Sequence, residues 1–310
     1  MNPTRNKFAL LVAGSLLFFS ATAQNLDDVM KEVEGKDTEY ATATFKGTRL
    51  LHGHSIESPA KGVLQVMFSH RFGTLEDPIY TFLGMTQASI RFGFDYGISN
   101  KLSVGLGRSS GLGGSLPPPT YDFYGKYRLV TQSSGQKNFP VSIALLGALA
   151  INTQHWPNDG IVRTDKDRLS YTAQALIARK FNDKFSLQLM PTFVHRNLTE
   201  NVDQKNSLFA IGFGGRYKLS KRIALNIEYY MNQPNTLGTN AFGNKYQDPM
   251  SIGFDIETGG HVFQIMFTNG TGLIEPQFIG LTETNFWDGA KGIRLGFNFT
   301  RVFTVKEKKD

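Results

Sequence analysis

Residues 207–232 read SLFAIGFGGRYKLSKRIALNIEYYMN, two runs of alternating side chains joined through Ser220 and Lys221. In the second run every other residue is apolar: Ile223, Leu225, Ile227, Tyr229 and Met231. Successive side chains of a β-strand point to opposite faces, so a period of two predicts strands with one apolar and one polar face. The short connection predicts that the two strands form an antiparallel hairpin.

The same period recurs from Lys61 almost to the end of the chain. Twelve segments show it, near residues 62–72, 87–98, 101–108, 120–130, 141–152, 168–180, 185–196, 207–219, 222–232, 250–258, 261–269 and 292–304. The pattern predicts an all-β chain of about twelve antiparallel strands, with a barrel domain at residues 61–304.

Long and short connections alternate between these segments. The long ones are 73–86, 109–119, 153–167, 197–206, 233–249 and 270–291. The short ones are 99–101, 182–184, 220–221 and 259–260, with 131–140 of intermediate length. Outer-membrane barrels have short turns at one rim and long loops at the other, whereas a soluble sandwich has no reason to separate them. The alternation therefore predicts a transmembrane up-and-down β-barrel.

Strand length agrees with this prediction. About ten residues rising ~3.3 Å each, tilted by ~40°, cover about 25 Å, the height of the apolar band of such barrels. A soluble barrel of twelve strands could not fill its interior with apolar side chains. We therefore expect the apolar face to meet lipid, and we predict that the chain resides in the cell outer membrane.

Composition excludes several other classes. The 310 residues have a mean hydropathy of −0.24, too low for a helical membrane protein. The absence of cysteine excludes disulfides, thiolate zinc sites and lipidated cysteines.

Residues 1–23 predict a signal peptide. Arg5 and Lys7 precede the apolar run Phe8–Phe19, and Ala21-Thr22-Ala23 is a small-residue cleavage site. The run is too short to cross a hydrocarbon core, which needs roughly twenty apolar residues. Cleavage would lower Lys+Arg from 33 to 31 against 26 Asp+Glu, so the net charge would fall from +7 to +5. This mild excess does not predict a nucleic-acid partner.

The last strand resembles the C-terminal assembly signal of outer-membrane proteins. Arg294, Gly296, Phe299 and Phe303 fit its pattern of a polar residue, a glycine and alternating aromatics. Arg301 departs from the pattern, which has an apolar residue there. The match predicts the barrel assembly machinery as a partner, and we expect residues 305–310 to form a polar periplasmic tail.

The chain also resembles a known family. The similarity is carried by Phe45-Lys46-Gly47-Thr48-Arg49, His54-Ser55-Ile56-Glu57, Lys61-Gly62, Ser69-His70-Arg71-Phe72-Gly73, Ala88-Ser89-Ile90-Arg91, Tyr96-Gly97-Ile98, Gly105 and Gly107-Arg108-Ser109-Ser110. This string is similar to the Bacteroidota β-barrel family filed as domain of unknown function 5777. The resemblance implies an outer-membrane barrel in a Gram-negative bacterium. It implies no particular activity and supplies no catalytic residues.

Two small clusters contain residue types found in metal sites. His52, His54 and Glu57 lack further ligands at matched spacing, and we interpret them as a polar segment. Asp159, Asp165 and Asp167 lack the ordered spacing of a calcium loop, and we interpret them as a solvated acidic loop. We predict no metal and no cofactor. No catalytic constellation stands out, so the sequence does not predict an enzyme.

Charged residues on the polar faces predict what lines the lumen. The basic ones are Arg71, Arg91, Lys126, Arg128, Lys180, Arg196, Arg216, Lys218 and Arg294, and the acidic ones are Asp95, Asp122, Glu228, Asp255 and Glu257. Twelve strands enclose a backbone cylinder of about 24 Å, which leaves a bore of about 12 Å inside the side chains. Two interpretations stay open: a narrow, mildly cationic pore, or an ion-pair network that closes the barrel.

One part of the predicted lumen wall is apolar. It is formed by Ala144, Leu146, Ala148 and Leu176, together with Ala150 and Ala178. Such a wall suits a hydrophobic solute or the preceding segment, residues 24–60, which we predict to be an N-terminal arm or plug.

The sequence therefore supports two hypotheses of function. The first is a narrow channel or transporter for a small solute. The second is a closed structural or partner-binding barrel without transport activity.

Overall fold

The computed structural model describes residues 37–112, 116–156, 158, 160–240 and 242–305. The predicted signal peptide, residues 24–36 of the predicted arm and residues 306–310 of the predicted tail lie outside this part of the chain. The chain divides into two compact units. The described residues of the smaller unit are 37–39 and 134–138, and the larger unit, from Tyr40 to Ser133 and from Phe139 onward, contains the barrel.

Twelve antiparallel strands form a closed barrel, as predicted. They are β1 (Val63–Thr74), β2 (Ala88–Gly97), β3 (Leu102–Leu112), β4 (Thr120–Val130), β5 (Ser142–Asn152), β6 (Leu169–Lys180), β7 (Phe185–Arg196), β8 (Ser207–Lys218), β9 (Ile223–Asn232), β10 (Met250–Thr258), β11 (His261–Thr268) and β12 (Arg294–Thr304). Each strand pairs with its neighbours in sequence, and β12 pairs with β1 to close the ring. All twelve predicted segments correspond to these strands.

The two faces of each strand differ in the way the alternation requires. In β9 the polar positions Asn226 and Glu228 are buried inside the ring, while Ile223 and Ile227 are exposed on its outer surface. The outer face carries exposed apolar side chains around the whole ring, including Phe92, Phe123, Leu145, Phe209 and Ile265. A barrel with an apolar outside and a polar inside is suited to lipid, because lipid does not solvate charges.

Connection length separates the two rims, which we call the short-turn end and the long-loop end. The β10–β11 turn at the short-turn end is Gly259-Gly260, and both residues have positive φ (45° and 97°), a conformation that favours glycine. At the long-loop end lie the four-residue helices α1 (Pro78–Thr81) and α2 (Glu275–Phe278) and the 3₁₀ segments Asp165–Arg168 and Phe286–Lys291. No helix in the described part of the chain is long and apolar enough to cross a membrane.

Candidate functional site

The charged residues predicted to line the lumen all lie on the inward face, at two depths. Nine are buried: Arg71, Arg91, Asp95, Asp122, Lys126, Arg196, Glu228, Asp255 and Arg294. Five are only partly buried near the short-turn end: Arg128, Lys180, Arg216, Lys218 and Glu257. Burial of so many charges requires partners close by, since an unpaired charge is costly away from water.

Part of that partnership comes from a segment outside the barrel wall. Residues 44–58, which we call the arm tip, precede β1 at the short-turn end and fold back between the strands. The arm tip is a hairpin, in which the Leu50 amide donates to the Gly53 carbonyl over 2.9 Å and the Ser55 amide donates to the Thr48 carbonyl over 2.9 Å. Residues 48–56 are all buried, which places the turn of the hairpin deep in the lumen.

Glu228 holds the turn of this hairpin. Its carboxylate accepts hydrogen bonds from three consecutive amides: Leu51 and His52 at 2.8 Å, and Gly53 at 2.7 Å. A Cβ on Gly53 would lie 2.0 Å from the hydroxyl oxygen of Tyr230, so only glycine allows the turn to approach β9 this closely. One carboxylate therefore satisfies three amides that would otherwise be unpaired in the lumen.

Side-chain amides of the wall bind the rest of the arm-tip backbone. Gln188 accepts from the Ile56 amide over 2.7 Å and donates to the His54 carbonyl over 2.8 Å. Gln264 donates to the Leu50 carbonyl over 2.6 Å, and Asn298 to the Leu51 carbonyl over 2.8 Å. These contacts come from three separate strands, β7, β11 and β12, so the arm tip is bound across the whole lumen.

Three of the buried cations of the wall have two different kinds of partner. Arg91 forms a bidentate ion pair with Asp122, at 2.6 and 2.9 Å. Arg71 and Lys126 instead donate to arm-tip carbonyls, Arg71 to Leu51 at 3.0 Å and Lys126 to Ser55 at 3.0 Å. The arm tip thus replaces the water that would otherwise solvate these two charges.

A second segment fills the lumen from the opposite end. Residues 269–282, which we call the lumen loop, belong to the long β11–β12 connection, and nearly all of them are buried. Arg49 of the arm tip forms an ion pair with Glu275 of the loop at 3.1 Å. His52 Nδ1 lies 3.0 Å from the Gly272 carbonyl oxygen, and the His52 and Phe278 rings are 5.3 Å apart. The two segments therefore contact each other in the middle of the barrel.

The predicted apolar wall is where these segments pack. Ala144, Leu146 and Leu176 are buried, and Ala148 is partly buried beside a cavity of about 10 Å³. Ala144 and Leu176 belong to one apolar cluster with Phe45, Leu50 and Ile56 of the arm tip and Phe278 and Ile279 of the lumen loop. Residues of the N-terminal segment, one of the two occupants that the sequence left open beside a hydrophobic solute, therefore pack against this wall.

The surroundings of the two arm-tip histidines disfavour their charged form. Burial lowers the pKa of His52 well below its ordinary value, and the charge of Arg71 lowers it further. Burial also lowers the pKa of His54, as do Arg49, Lys126 and Arg91, although His54 Nε2 lies 3.8 Å from Glu275. Three nearby cations outweigh that single carboxylate.

No group of three or more potential metal ligands occurs among the described residues. Glu57, predicted as a polar neighbour of the two histidines, lies 3.8 Å from Arg128. In the acidic loop, Asp167 accepts hydrogen bonds from the backbone amide and the hydroxyl of Thr164. Asp159 lies outside the described residues.

The assembly-signal residues have distinct surroundings in β12. A Cβ on Gly296 would lie 2.6 Å from Cδ of Arg71, so this glycine makes room for a buried arginine. Phe299 packs against Phe263 on the outer face with ring centroids 4.8 Å apart, and Phe303 is exposed near the short-turn end. A role of these residues in assembly stays a prediction.

Several residues that build the closed lumen were not predicted from the sequence. Arg49 and Glu275 were not identified as a pair, because they are 226 positions apart. The signal for the lumen loop was its apolar content, since Leu273, Ile274, Phe278 and Ile279 are unusual in a loop expected to face water.

No curated protein matches the sequence. The fold is similar to the KdgM porin (8% identity, 77% of this chain and 99% of that chain, TM-score 0.49) and to the NanC porin (8%, 79% and 100%, TM-score 0.47). It is also similar to an outer membrane channel from Pseudomonas putida F1 (15%, 80% and 97%, TM-score 0.45). At these identities the likeness concerns the fold alone.

A family model described as a membrane bound beta barrel domain matches residues 45–303, a range that includes the arm tip as well as the strands. The chain therefore belongs to this membrane-bound β-barrel family, domain of unknown function 5777.

Proposed function

We propose that this chain is a gated outer-membrane channel for small solutes, closed at rest by its arm tip. The observation that carries the proposal is the binding of three consecutive arm-tip amides by Glu228 in the middle of the lumen. Because the hairpin lies across the bore at that depth, a solute can pass only if the arm tip moves.

The chemistry of the lumen supports passage once the arm tip has left. Its partners on the wall are mostly polar: Glu228, Gln188, Gln264, Asn298, Arg71 and Lys126. Each of these groups exchanges a protein hydrogen bond for one to water at a small net cost. A wall of this kind stays stable when it is filled with water, as a channel requires.

The termini give the proposed channel its orientation. β1 begins and β12 ends at the short-turn end, so both termini would lie in the periplasm and the long loops outside. Protease added to intact cells is therefore expected to cut the β9–β10 loop, residues 233–249, and to spare the turn at Ser220. Cutting at the turn alone would contradict this orientation.

Planar-bilayer recordings test the proposal. The full chain is expected to show little steady current, and a chain lacking residues 24–58 is expected to open. Openings of the arm-deleted chain should prefer anions modestly, because nine basic and five acidic residues then face the bore, and the preference should shrink at high salt. The screening length at 1 M salt is about 3 Å.

The lumen loop favours a second candidate, a closed structural or partner-binding barrel. Phe278 and Ile279 fill the lumen beyond the arm tip and are fully buried. Deletion of residues 273–281 in the arm-deleted chain separates the two candidates. A folded, heat-modifiable barrel that still passes no current would refute the channel and leave the closed barrel.

A further inference from the structure

A cavity of about 480 Å³ lies at the long-loop end, above the lumen loop. Ile274, Pro276 and Gln277 of that loop line one part of it, and Arg196, at the end of β7, lines another. Its volume is within the range of about 300–1,000 Å³ that small-molecule sites occupy. The cavity is separate from the interface between arm tip and wall described above.

Arg196 is a buried cation, and Glu200 attracts its charge without coming within ion-pair distance. Its side chain is 5% exposed, and its Nε has no hydrogen-bond partner. Its one hydrogen bond to the part of the chain that the structure describes is long, from Nη2 to the Lys205 carbonyl at 3.5 Å. Among the described residues, it forms no ion pair with a carboxylate. A buried guanidinium ordinarily has a partner for its charge.

Arg71 shows how a buried arginine is satisfied elsewhere in this barrel. It also lacks a carboxylate in ion-pair contact, but it donates five hydrogen bonds, to His52, His70, Phe297, Asn298 and Leu51. Arg196 has the same burial without those acceptors, and it borders open space instead. The hydrogen-bond acceptor that Arg196 lacks is therefore expected to come from a ligand in the cavity.

The two carboxylates that line the cavity are already engaged. Asp167 accepts from the Thr164 amide at 2.7 Å and from its hydroxyl at 3.0 Å. Glu200 accepts from the Tyr246 hydroxyl at 2.6 Å. Neither carboxylate forms an ion pair with Arg196, although Glu200 attracts its charge at longer range, so the Nε–H donor stays available to a ligand.

The remaining lining is mixed: one part is apolar and aromatic, and another is polar and includes Arg168, Ser170 and Thr199. Leu198, Leu281, Ile274 and Pro276 line the cavity together with Trp156, whose ring lies 4.4 Å from the guanidinium of Arg168. A carboxylate fits the fork of a guanidinium with two parallel hydrogen bonds. An apolar body would cover the aliphatic part of this lining, which a free phosphate would leave uncovered.

We propose that this cavity binds a small organic carboxylate with an apolar body, its carboxylate on Arg196 and its body against the lumen loop. The inference rests on the proposed function only in treating the long-loop end as the entrance of the channel. Binding itself requires no movement of the arm tip.

Titration of the purified full chain with benzoate tests the proposal, with Trp156 fluorescence as the reporter in a Trp287→Phe background. Benzoate is expected to bind saturably, and its uncharged analogue benzamide at least about tenfold more weakly, because hydrogen bonds to charged groups carry most of such discrimination. Inorganic phosphate is expected to compete poorly. Tight binding of phosphate that depends on Arg196 would overturn the carboxylate assignment.

Arg196→Gln should weaken benzoate binding at least about tenfold without lowering the melting temperature, since the change breaks no ion pair. Arg108→Gln is the matched control, because Arg108 lies on the outer face of β3 near the same end and is partly exposed. It should leave benzoate affinity unchanged. Equal benzoate affinity in both variants, or no saturable binding, would overturn the site. Benzoate binding by a full chain whose form lacking both residues 24–58 and 273–281 conducts no current would keep the site and refute the channel.

Discussion

The lumen has two walls of opposite character. The polar wall, on β9–β12 and β1–β4, consists of Glu228, Gln264, Asn298, Gln65, Arg71, Arg91, Asp95 and Lys126. The apolar wall, on β5–β8, includes Met190, Val194, Leu208 and Ala210 besides the alanines and leucines named above, and Gln188 is a polar position within it. The arm tip lies between them, with its backbone hydrogen-bonded mainly to the first wall and Phe45, Leu50 and Ile56 packed in the cluster of the second.

The two walls are expected to contribute to docking of the arm tip in different ways. Hydrogen bonds are directional, so the polar wall fixes where the arm tip sits. Apolar packing has no direction and scales with buried area, so the apolar wall adds affinity. A polar wall also stays compatible with water after release, which a bore lined only by aliphatic side chains would not.

The largest effect is expected on the polar wall, from Glu228→Leu. The substitution leaves the amides of Leu51, His52 and Gly53 without an acceptor, at a cost of about 4 kcal/mol in docking of the arm tip. Hydrogen exchange of residues 44–58 measures the loss. Glu257→Gln, a partly buried rim carboxylate, is the control and should preserve protection. Full protection in Glu228→Leu would show that this carboxylate does not hold the arm tip.

Leu50→Ala tests the apolar wall. Leu50 is 1% exposed. Its side chain packs directly on β8, because a Cβ added to Gly214 would lie only 2.4 Å from Cδ1 of Leu50. Truncation should weaken docking by about 3 kcal/mol. Leu145→Ala on the outer face of β5 removes the same atoms without touching the lumen. Equal exchange in the two variants would mean that the apolar wall contributes no affinity.

Acidification should release the arm tip. The docked state keeps the pKa of His52 and His54 well below the ordinary value of 6.5, whereas the released arm titrates near it. The released state therefore binds more protons, and docking is lost as pH falls below about 6.5, by up to about 1.4 kcal/mol per pH unit for each histidine. Channel openings counted against pH measure this, and His52→Gln with His54→Gln should flatten the profile. Openings that rise with pH would contradict the assignment.

The smallest effect is expected at the short-turn end. Lys46 pairs with Glu257 at 2.5 Å, but the two side chains are 29% and 38% exposed. Water screens such a pair, so Lys46→Gln should change docking by less than about 1 kcal/mol. Exchange rates at residues 44–58 should barely differ from those of the unmodified chain. A large acceleration would show that the main contact holding the arm tip lies at the rim.

The barrel was predictable from the sequence because the patterns that specify it lie within short stretches of the chain. Strand positions follow from a period of two, and the rims follow from connection length, both of which are read within a few residues. The inward positions of Arg91 and Asp122 follow from the same alternation, although their pairing does not. Alternation assigns a face to each residue but no neighbour across the bore.

The closure of the lumen was not predictable in the same way. Gly53 and Glu228 are 175 positions apart, and nothing in the arm sequence specifies which wall residue its amides meet. The long connection before β12 was predicted as an ordinary outer loop because its length matched the others. Its buried α2 shows that loop length alone does not reveal whether a loop faces water or folds inward.

The most direct test of the gated lumen measures arm position and current together. Ser55→Cys places the only thiol of the chain at a position that is 0% exposed, where a membrane-impermeant maleimide cannot reach it while the arm tip is docked. The account predicts slow labelling and no steady current in this variant, and fast labelling with current once Glu228→Leu is added. Ser220→Cys in an exposed turn should label quickly in both backgrounds. Steady current through a barrel whose Ser55→Cys thiol stays protected would contradict the account.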